Sequence, residues 1–397
     1  MTYSSVEVEL TVLMPCLNEQ ETIATCISEA LLFLKQNSIN GEVLVSDNGS
    51  LDGSVEIAKS AGARVVFAVN KGYGSALITG INAARGKYIV MGDADNSYDF
   101  LSLGQFIKHL RNQADLVVGN RFAGGILPGA MPLLHKYLGN PVLSTLGRVF
   151  FKSKINDFHC GLRGFRKDAI INLNLVSPGM EFASEMIVKA TMAGLRIEQV
   201  PTILRPDGRS RRPHLRTWAD GWRHLRFLLL YSPSWLFLYP GLMLTGVGAV
   251  ATSRLSFGSY SIGSLVFDVN TLLVSVAMTI VGCQALWFAI LSKAYGINLG
   301  LLTSKPRTHK VIEKLTLERI MVVSIAGFAL GLAGLFLATS RWERAGWGPL
   351  EQPSNLRMVI PSVGILVISL HSVFCAWLLS IYSLGTKVRV IQHLESN

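Results

Sequence analysis

The sequence predicts an α/β domain with a mainly parallel sheet, followed by four membrane-crossing helices. Three observations predict it. From Val8 to Met91, apolar β-type runs alternate with helix-type stretches. Near residue 234 the composition changes from mixed and charged to long apolar runs. Four of those runs approach the roughly 20 residues that a helix needs to cross the hydrocarbon of a bilayer.

The strands and helices follow in order. Val8–Met14 is a β-rich apolar run that ends at Pro15, and Glu21–Lys35 carries Ile23, Ile27, Ala30, Leu31 and Leu34 at helical spacing. Glu42–Ser46 has a buried-strand pattern, Asp52–Ala61 a helical one and Arg64–Ala68 a third strand. Tyr73–Ala84 is the third helix and Lys87–Met91 the fourth strand. The turns after the strands are polar: Asn18-Glu19, Asp47-Asn48-Gly49-Ser50 and Asp93-Ala94-Asp95. Singly, each is an ordinary turn or helix cap. Together they lie where sheets of this kind bind ligands, beyond the carboxyl ends of the strands.

The four apolar segments are about 235–253, 269–291, 321–339 and 358–381, with Trp235, Tyr239, Trp287 and Trp342 near their ends. Lys293, Lys305, Arg307, Lys310, Lys314 and Arg319 crowd the connection after the second segment, and Lys387 and Arg389 lie in the tail. Only Arg254 lies in the connection after the first. The positive-inside rule then places the N-terminal domain, the 293–319 loop and the tail on the cytoplasmic side, which requires an even number of spans. Gly327 and Gly331 form a small-residue step, suited to packing within one bundle or between copies in a homo-oligomer. His371, inside the fourth segment, is expected to hydrogen-bond between helices.

The 397 residues carry a net charge of +11, and 50% of them are hydrophobic. A water-soluble second half is excluded. The N-terminus bears Glu7 and Glu9 and no basic flank, so it does not read as a secretory signal. Cys16, Cys26, Cys160, Cys283 and Cys375 are scattered without a Cys-x-x-Cys pair, which indicates free thiols in a reducing compartment and no structural zinc.

The segments Pro15-Cys16-Leu17-Asn18-Glu19, Ser46-Asp47-Asn48-Gly49-Ser50, Asn70-Lys71-Gly72-Tyr73-Gly74 and Asp93-Ala94-Asp95 resemble glycosyltransferase family 2, and within it the polyprenyl (dolichyl)-phosphate hexosyltransferases. The resemblance covers about residues 9–230 and implies a GT-A nucleotide-sugar-binding fold. It implies a layout of a cytoplasmic catalytic domain over 1–212, an amphipathic juxtamembrane helix over 213–233, four spans within 234–385 and a cytoplasmic tail over 386–397.

The resemblance also assigns roles. Asp95 becomes the ligand of Mg²⁺ or Mn²⁺, and Asp93 sits beside the nucleotide; hard carboxylates suit either ion. Asp47 and Asn48 would meet the base, either uracil or guanine, so the donor is UDP-glucose or GDP-mannose. Pro15, Leu17, Asn18 and Glu19 would line the base and ribose pocket, and Lys71 and Gly72 would approach the nucleotide. Arg205-Pro-Asp-Gly208-Arg209-Ser210-Arg211 resembles the subgroup's Arg-x-x-Gly-x-Ser-Lys, with arginine where lysine is usual.

A lipid phosphate is already a nucleophile near neutral pH, so such a site needs cations more than a strong base. Arg205, Arg209, Ser210 and Arg211 would hold it, since arginine's fork suits phosphate. A basic patch attracted to anionic lipids explains the same charges. Asp157-Phe-His-Cys-Gly161-Leu-Arg163 resembles the acceptor-side segment, with leucine replacing the usual phenylalanine. Asp157 would act as a base or orient a sugar hydroxyl, and Arg163 and Arg121 would contact phosphate; an Asp157–Arg163 salt bridge is the structural alternative. Leu133–Phe151 and Trp218–Tyr231 read as amphipathic helices of the headgroup plane or as packed surface helices.

The partners expected are therefore a nucleotide-sugar, a polyprenyl-phosphate lipid and the bilayer, with no nucleic acid. Inverting transfer follows from the resemblance alone. The rivals are a transferase onto another lipid-linked acceptor and a non-catalytic membrane protein with a nucleotide-binding domain. A processive synthase is disfavoured, because its Gln-x-x-Arg-Trp element is missing.

Overall fold

A computed structural model describes residues 8–210, 217–298, 310, 314–348 and 353–395. The chain divides into two compact units, Met1–Leu228 and Leu229–Asn397. Helix residues 217–228 fall within the first unit.

The first unit is built on seven strands: β1 (Leu10–Cys16), β2 (Gly41–Asp47), β3 (Arg64–Phe67), β4 (Tyr88–Met91), β5 (Leu116–Asn120), β6 (Arg163–Arg166) and β7 (Ile197–Pro201). Its helices are α1 (Ile23–Gln36), α2 (Ser54–Ser60), α3 (Tyr73–Ala83), α4 (Gly104–Arg111), α5 (Arg121–Gly124), α6 (Asn140–Phe151), α7 (Lys167–Ile171), α8 (Phe182–Met192) and α9 (Thr217–Leu230). The strand order is β3-β2-β1-β4-β6-β5-β7. All pairings are parallel except those of β6, which runs antiparallel to both β4 and β5.

β1 is apolar almost throughout and buried, as a central strand covered on both faces must be. Its pairing with β4 stops at Leu13, so Pro15 has only the β2 side to satisfy and its missing N–H is tolerated. From β1 the chain builds outward to β2 and β3 on one side and to β4 on the other. That reversal opens a crevice beyond the carboxyl ends of β1 and β4, where such sheets bind ligands.

In the second unit, four helical stretches are long and apolar enough to cross a membrane: Ser234–Ser256, Val269–Asn298, Leu317–Arg344 and Ser354–Tyr382. They belong to helices α10 (Tyr239–Ser256), α11 (Val269–Asn298), α12 (Leu317–Arg344) and α13 (Pro353–Glu395), the last three longer than the apolar cores expected from the sequence. A small antiparallel hairpin, β8 (Tyr260–Ile262) with β9 (Leu265–Phe267), joins α10 to α11; its strands are too short to stand out as a pattern. Arg357 binds the Asp268 carboxylate and donates to the Leu255 carbonyl at 2.6 Å, tying the start of α13 to that connection.

The step of small residues on α12 is used inside the bundle. A side chain at Gly331 would meet Leu366 and the Ser362 carbonyl of α13, and one at Gly327 would meet Ser369. His371 is not the interhelical link expected: its Nε2 lies 3.4 Å from the Cys375 sulfur, one turn along the same helix. All five cysteines are free thiols.

Candidate active site

The donor-side turns are locked to one another by side-chain to backbone bonds. The Asp47 carboxylate, at the end of β2, accepts from Gly49 N at 2.9 Å and from Ser50 N, forming an Asx turn that needs the positive φ of Gly49. Asn48 donates to the Asn70 carbonyl at 2.9 Å and accepts from Gly72 N at 2.7 Å. Asn18, at φ 58, accepts from Leu51 N at 2.7 Å, while its own N–H donates to the Ser50 hydroxyl. Glu19 N donates to the Ser54 hydroxyl at 2.7 Å. The three turns therefore form one frame, which their scattered positions in sequence do not reveal.

Gly72 was expected to bring backbone close to a nucleotide. What closes on it is the chain's own segment 177–179: a side chain at Gly72 (φ 128) or Gly74 would collide with the carbonyls of Pro178 and Ser177. Glu185 anchors that segment by accepting from Val176 N and Ser177 N. Lys71 is exposed, while Pro15 and Leu17 are half-buried beside the frame.

Beyond β4, Asp93 and Asp95 share one polar patch. The Tyr73 hydroxyl donates to Asp93 Oδ1 at 2.9 Å. The sequence alone left Tyr73 without a role, although it stands in the Asn-Lys-Gly-Tyr-Gly segment. Asp95 Oδ1 accepts from the Ser97 N–H at 3.0 Å and from its hydroxyl at 2.5 Å. Thr22, before α1, donates to the Ala94 carbonyl at 2.7 Å and sets the turn against β1's loop. Burial, reinforced by the charge of Asp95, pushes the Asp93 carboxyl up from its ordinary range.

The basic segment lies across these carboxylates. Arg209 donates to Asp95 Oδ2 at 2.6 Å, to Glu19 Oε1 at 3.0 Å and to Asp207 Oδ2 at 3.0 Å. Its guanidinium is a stand-in cation between oxygens from two different strand ends. Hard carboxylate oxygens that attract one cation fit another, so the Asp95 carboxylate is chemically suited to a divalent ion. Gly208 N donates to the Asp95 carbonyl and Arg205 N to the Ser97 carbonyl, both at 2.9 Å. Arg205 pairs with Asp99 at 2.9 Å, and Ser210 donates twice to Glu21. Arg211 lies outside the described residues.

The acceptor-side segment is arranged differently from the expectation. Asp157 pairs with Arg121, not with Arg163: Arg121 Nε and Nη2 reach the two carboxylate oxygens at 2.7 and 2.8 Å. Arg163 is 0% exposed and donates to the carbonyls of Cys160, Ala183 and Phe158 at 2.7–2.9 Å. It braces the turn beside Asp93 and is not presented to an acceptor phosphate, because β6 turns it into the core. Beside this pair, His159 stacks edge-on against His224 of α9 at 4.4 Å, and His224 Nδ1 lies 2.9 Å from the Ser184 hydroxyl. Burial lowers the pKa of both rings.

Residues 11–173 match the model of glycosyl transferase family 2, and residues 290–383 match that of the family 2 C-terminal transmembrane region. The low-salt glycan biosynthesis hexosyltransferase Agl6 of Haloferax volcanii is 37% identical over 96% of this chain and 90% of its own length. The chain belongs to glycosyltransferase family 2. It is a glycosyltransferase whose α/β domain precedes a transmembrane region, and it is an integral membrane protein. Among other relatives of the same organism, glycosyltransferase AglJ is 31% identical over 71% of this chain and 91% of its own length. A dolichyl-phosphate hexose transferase is 25% identical over 49% and 81%, respectively. The crystal structure of a Mycobacterium tuberculosis glucosyl-3-phosphoglycerate synthase superposes with a TM-score of 0.46 at 22% identity, over 56% of this chain and 79% of that one.

Proposed function

We propose that this family 2 glycosyltransferase moves a hexose from UDP-glucose or GDP-mannose onto a polyprenyl phosphate, with inversion, at the cytoplasmic face of the membrane. The observation that carries the reading is the pairing of Asp95, beside Asp93 at the β1/β4 crevice, with Arg209 of the basic 205–210 segment, which also reaches Glu19 at the β1 end. It supports a site in which carboxylates would meet a diphosphate through a divalent ion, next to guanidiniums suited to a second phosphate. The names of the hexosyltransferase and the dolichyl-phosphate hexose transferase relatives support a transferred hexose and a lipid-phosphate acceptor.

In this reading Asp95, with Asp93 beside it, would hold a Mg²⁺ or Mn²⁺ ion, whose charge would offset that growing on the departing diphosphate. Tyr73 orients Asp93 through its hydroxyl. The Asp47–Asn48 frame, with Glu19, receives the base and ribose. Arg205, Arg209 and Ser210 hold the acceptor phosphate in line, so that its oxygen attacks the anomeric carbon while the nucleoside diphosphate leaves. The phosphate is largely a dianion at neutral pH and needs no proton removed. Asp157 is not free to act as that base: its pairing with Arg121 supports a structural role, and Arg121 is equally withdrawn from phosphate.

Exposed apolar side chains on the first unit support docking to a bilayer. Trp218 and Trp222 of α9 are 80% and 59% exposed, and Leu133 and Tyr137, ahead of α6, are 72% and 70% exposed. Arg223 and Lys136 lie among them, as in helices of the headgroup plane.

The test is transfer of label from UDP-glucose and from GDP-mannose into solvent-extracted polyprenyl phosphate, using membranes that contain the full chain. One donor is expected to label the lipid, and EDTA or Asp95→Ala to abolish labelling. Full labelling in Asp95→Ala, or no lipid product with either donor, overturns the reading.

A further inference from the structure

We propose that Arg209 is the resting counter-cation of the donor site, and that it must leave Asp95 before a divalent ion can bind there. The inference rests on the reading that Asp95 holds the ion. Arg209 therefore acts as a positioning residue, handed from a carboxylate to the acceptor phosphate as the site loads.

The geometry carries the argument. The Arg209 side chain is 13% exposed, so solvent screens its charge poorly. One nitrogen, Nη2, lies 2.6 Å from Asp95 Oδ2, the oxygen turned away from Ser97. The other, Nη1, lies 3.0 Å from Glu19 Oε1, so the guanidinium spans the crevice from the β4 end to the β1 end. Asp95 Oδ1 is occupied by two bonds from Ser97. A divalent ion approaching Asp95 therefore meets a like charge at Oδ2, the oxygen that the Ser97 bonds leave available.

The structure also provides for the exchange. Nε and Nη2 both donate to Asp207 Oδ2, at 3.2 and 3.0 Å, and Asp207 lies only two residues away on the same segment. Arg209 keeps that partner when it releases Asp95. The segment itself stays pinned through Gly208 N on the Asp95 carbonyl and Ser210 on Glu21, so the side chain moves and not the strap. In the family pattern Arg-x-x-Gly-x-Ser-Lys, Arg209 stands at the unspecified position before the serine, so the resemblance assigns it nothing of this kind. Once displaced, the guanidinium is released toward the acceptor phosphate, a ligand its fork suits.

The test is Mn²⁺ binding to the full chain in detergent, without nucleotide, followed by electron paramagnetic resonance of the free ion. Wild type, Arg209→Gln, Arg209→Lys and Asp95→Asn are compared, with thermal melts reporting on folding. Arg209→Gln is expected to bind Mn²⁺ about tenfold more tightly, within the usual range of coupling between two ligands. Millimolar guanidinium ion added to that variant should reverse the gain. Arg209→Lys, which keeps the charge but loses the fork, should show a smaller gain in the same direction. Asp95→Asn should abolish binding. Equal or weaker Mn²⁺ binding in Arg209→Gln, with Asp95→Asn inactive in binding, overturns the inference alone. Should the glutamine variant fail to fold, an unchanged affinity in Arg209→Lys overturns it. Binding indifferent to Asp95→Asn overturns the metal reading first, and the inference with it.

Discussion

Arg121 and Asp157 form a two-pronged ion pair that is almost wholly enclosed, with nitrogen–oxygen distances of 2.7 and 2.8 Å and 0% exposure of the carboxylate. Arg121 follows β5 and Asp157 precedes β6, so the pair fastens the two strands' ends together. The backbone N–H groups of Arg121 and His159 add two more bonds to the same carboxylate, each at 3.2 Å.

Removing one partner of this pair leaves a buried charge without compensation. Arg121→Ala and Asp157→Ala should each lower unfolding stability by about 3–5 kcal/mol. The double variant should lose much less than the sum of the two. Denaturant titrations of the four proteins measure the coupling. Singles that lose under about 1 kcal/mol would place the pair in open solvent.

Arg163→Met removes the donor to three carbonyls while filling a similar volume. The stability loss is expected to exceed about 2 kcal/mol, since buried acceptors left without donors cost roughly 1–3 kcal/mol each. The KM for lipid phosphate in surviving protein should stay near that of wild type. A selective rise in that KM with unchanged melting would restore Arg163 to the acceptor site.

The two buried imidazoles make the first unit acid-sensitive. Burial is the main cause that brings His224 down from 6.5 to about 4; Asp220 opposes the shift and Arg163 adds to it. The unfolded ring takes up a proton near 6.5 and the folded ring resists it. The stability contribution is thus complete above about pH 6.5 and is lost as pH falls toward about 4. That amounts to about 3 kcal/mol for His224, and His159 adds in the same direction. Melting temperatures recorded from pH 7.5 to 4.5 should fall steeply in wild type and less steeply in His224→Gln. Parallel curves would refute the assignment.

Gly72→Ala should disrupt the donor frame. The substitution forces φ 128 on a residue with a Cβ and drives that Cβ into the Pro178 carbonyl. Strain of this kind costs of order 1–3 kcal/mol before any clash is counted. Nucleotide affinity, read by thermal shift with UDP and GDP, should drop at least tenfold. Unchanged affinity would mean that the 177–179 segment gives way easily.

Much of this molecule was legible in the residue order. The alternation from β1 to β4 and the four apolar spans are local patterns, set by side-chain period and run length, and they appear in the structure within a few residues of their expected places. The polar turns were legible as well, because an Asx turn and a positive-φ glycine are written in four consecutive residues. What lies across the sheet was not. That Arg163 turns inward while Arg121 takes Asp157, and that Arg209 reaches Glu19, 190 positions earlier, depend on which strands become neighbours. β6 enters the sheet antiparallel between β4 and β5, and this placement turns Arg163 into the core. An arginine in a sequence states only its charge and length. Which carboxylate or carbonyl it meets is decided by chain crossings whose closure no local pattern records, so the partners emerged only from the folded chain.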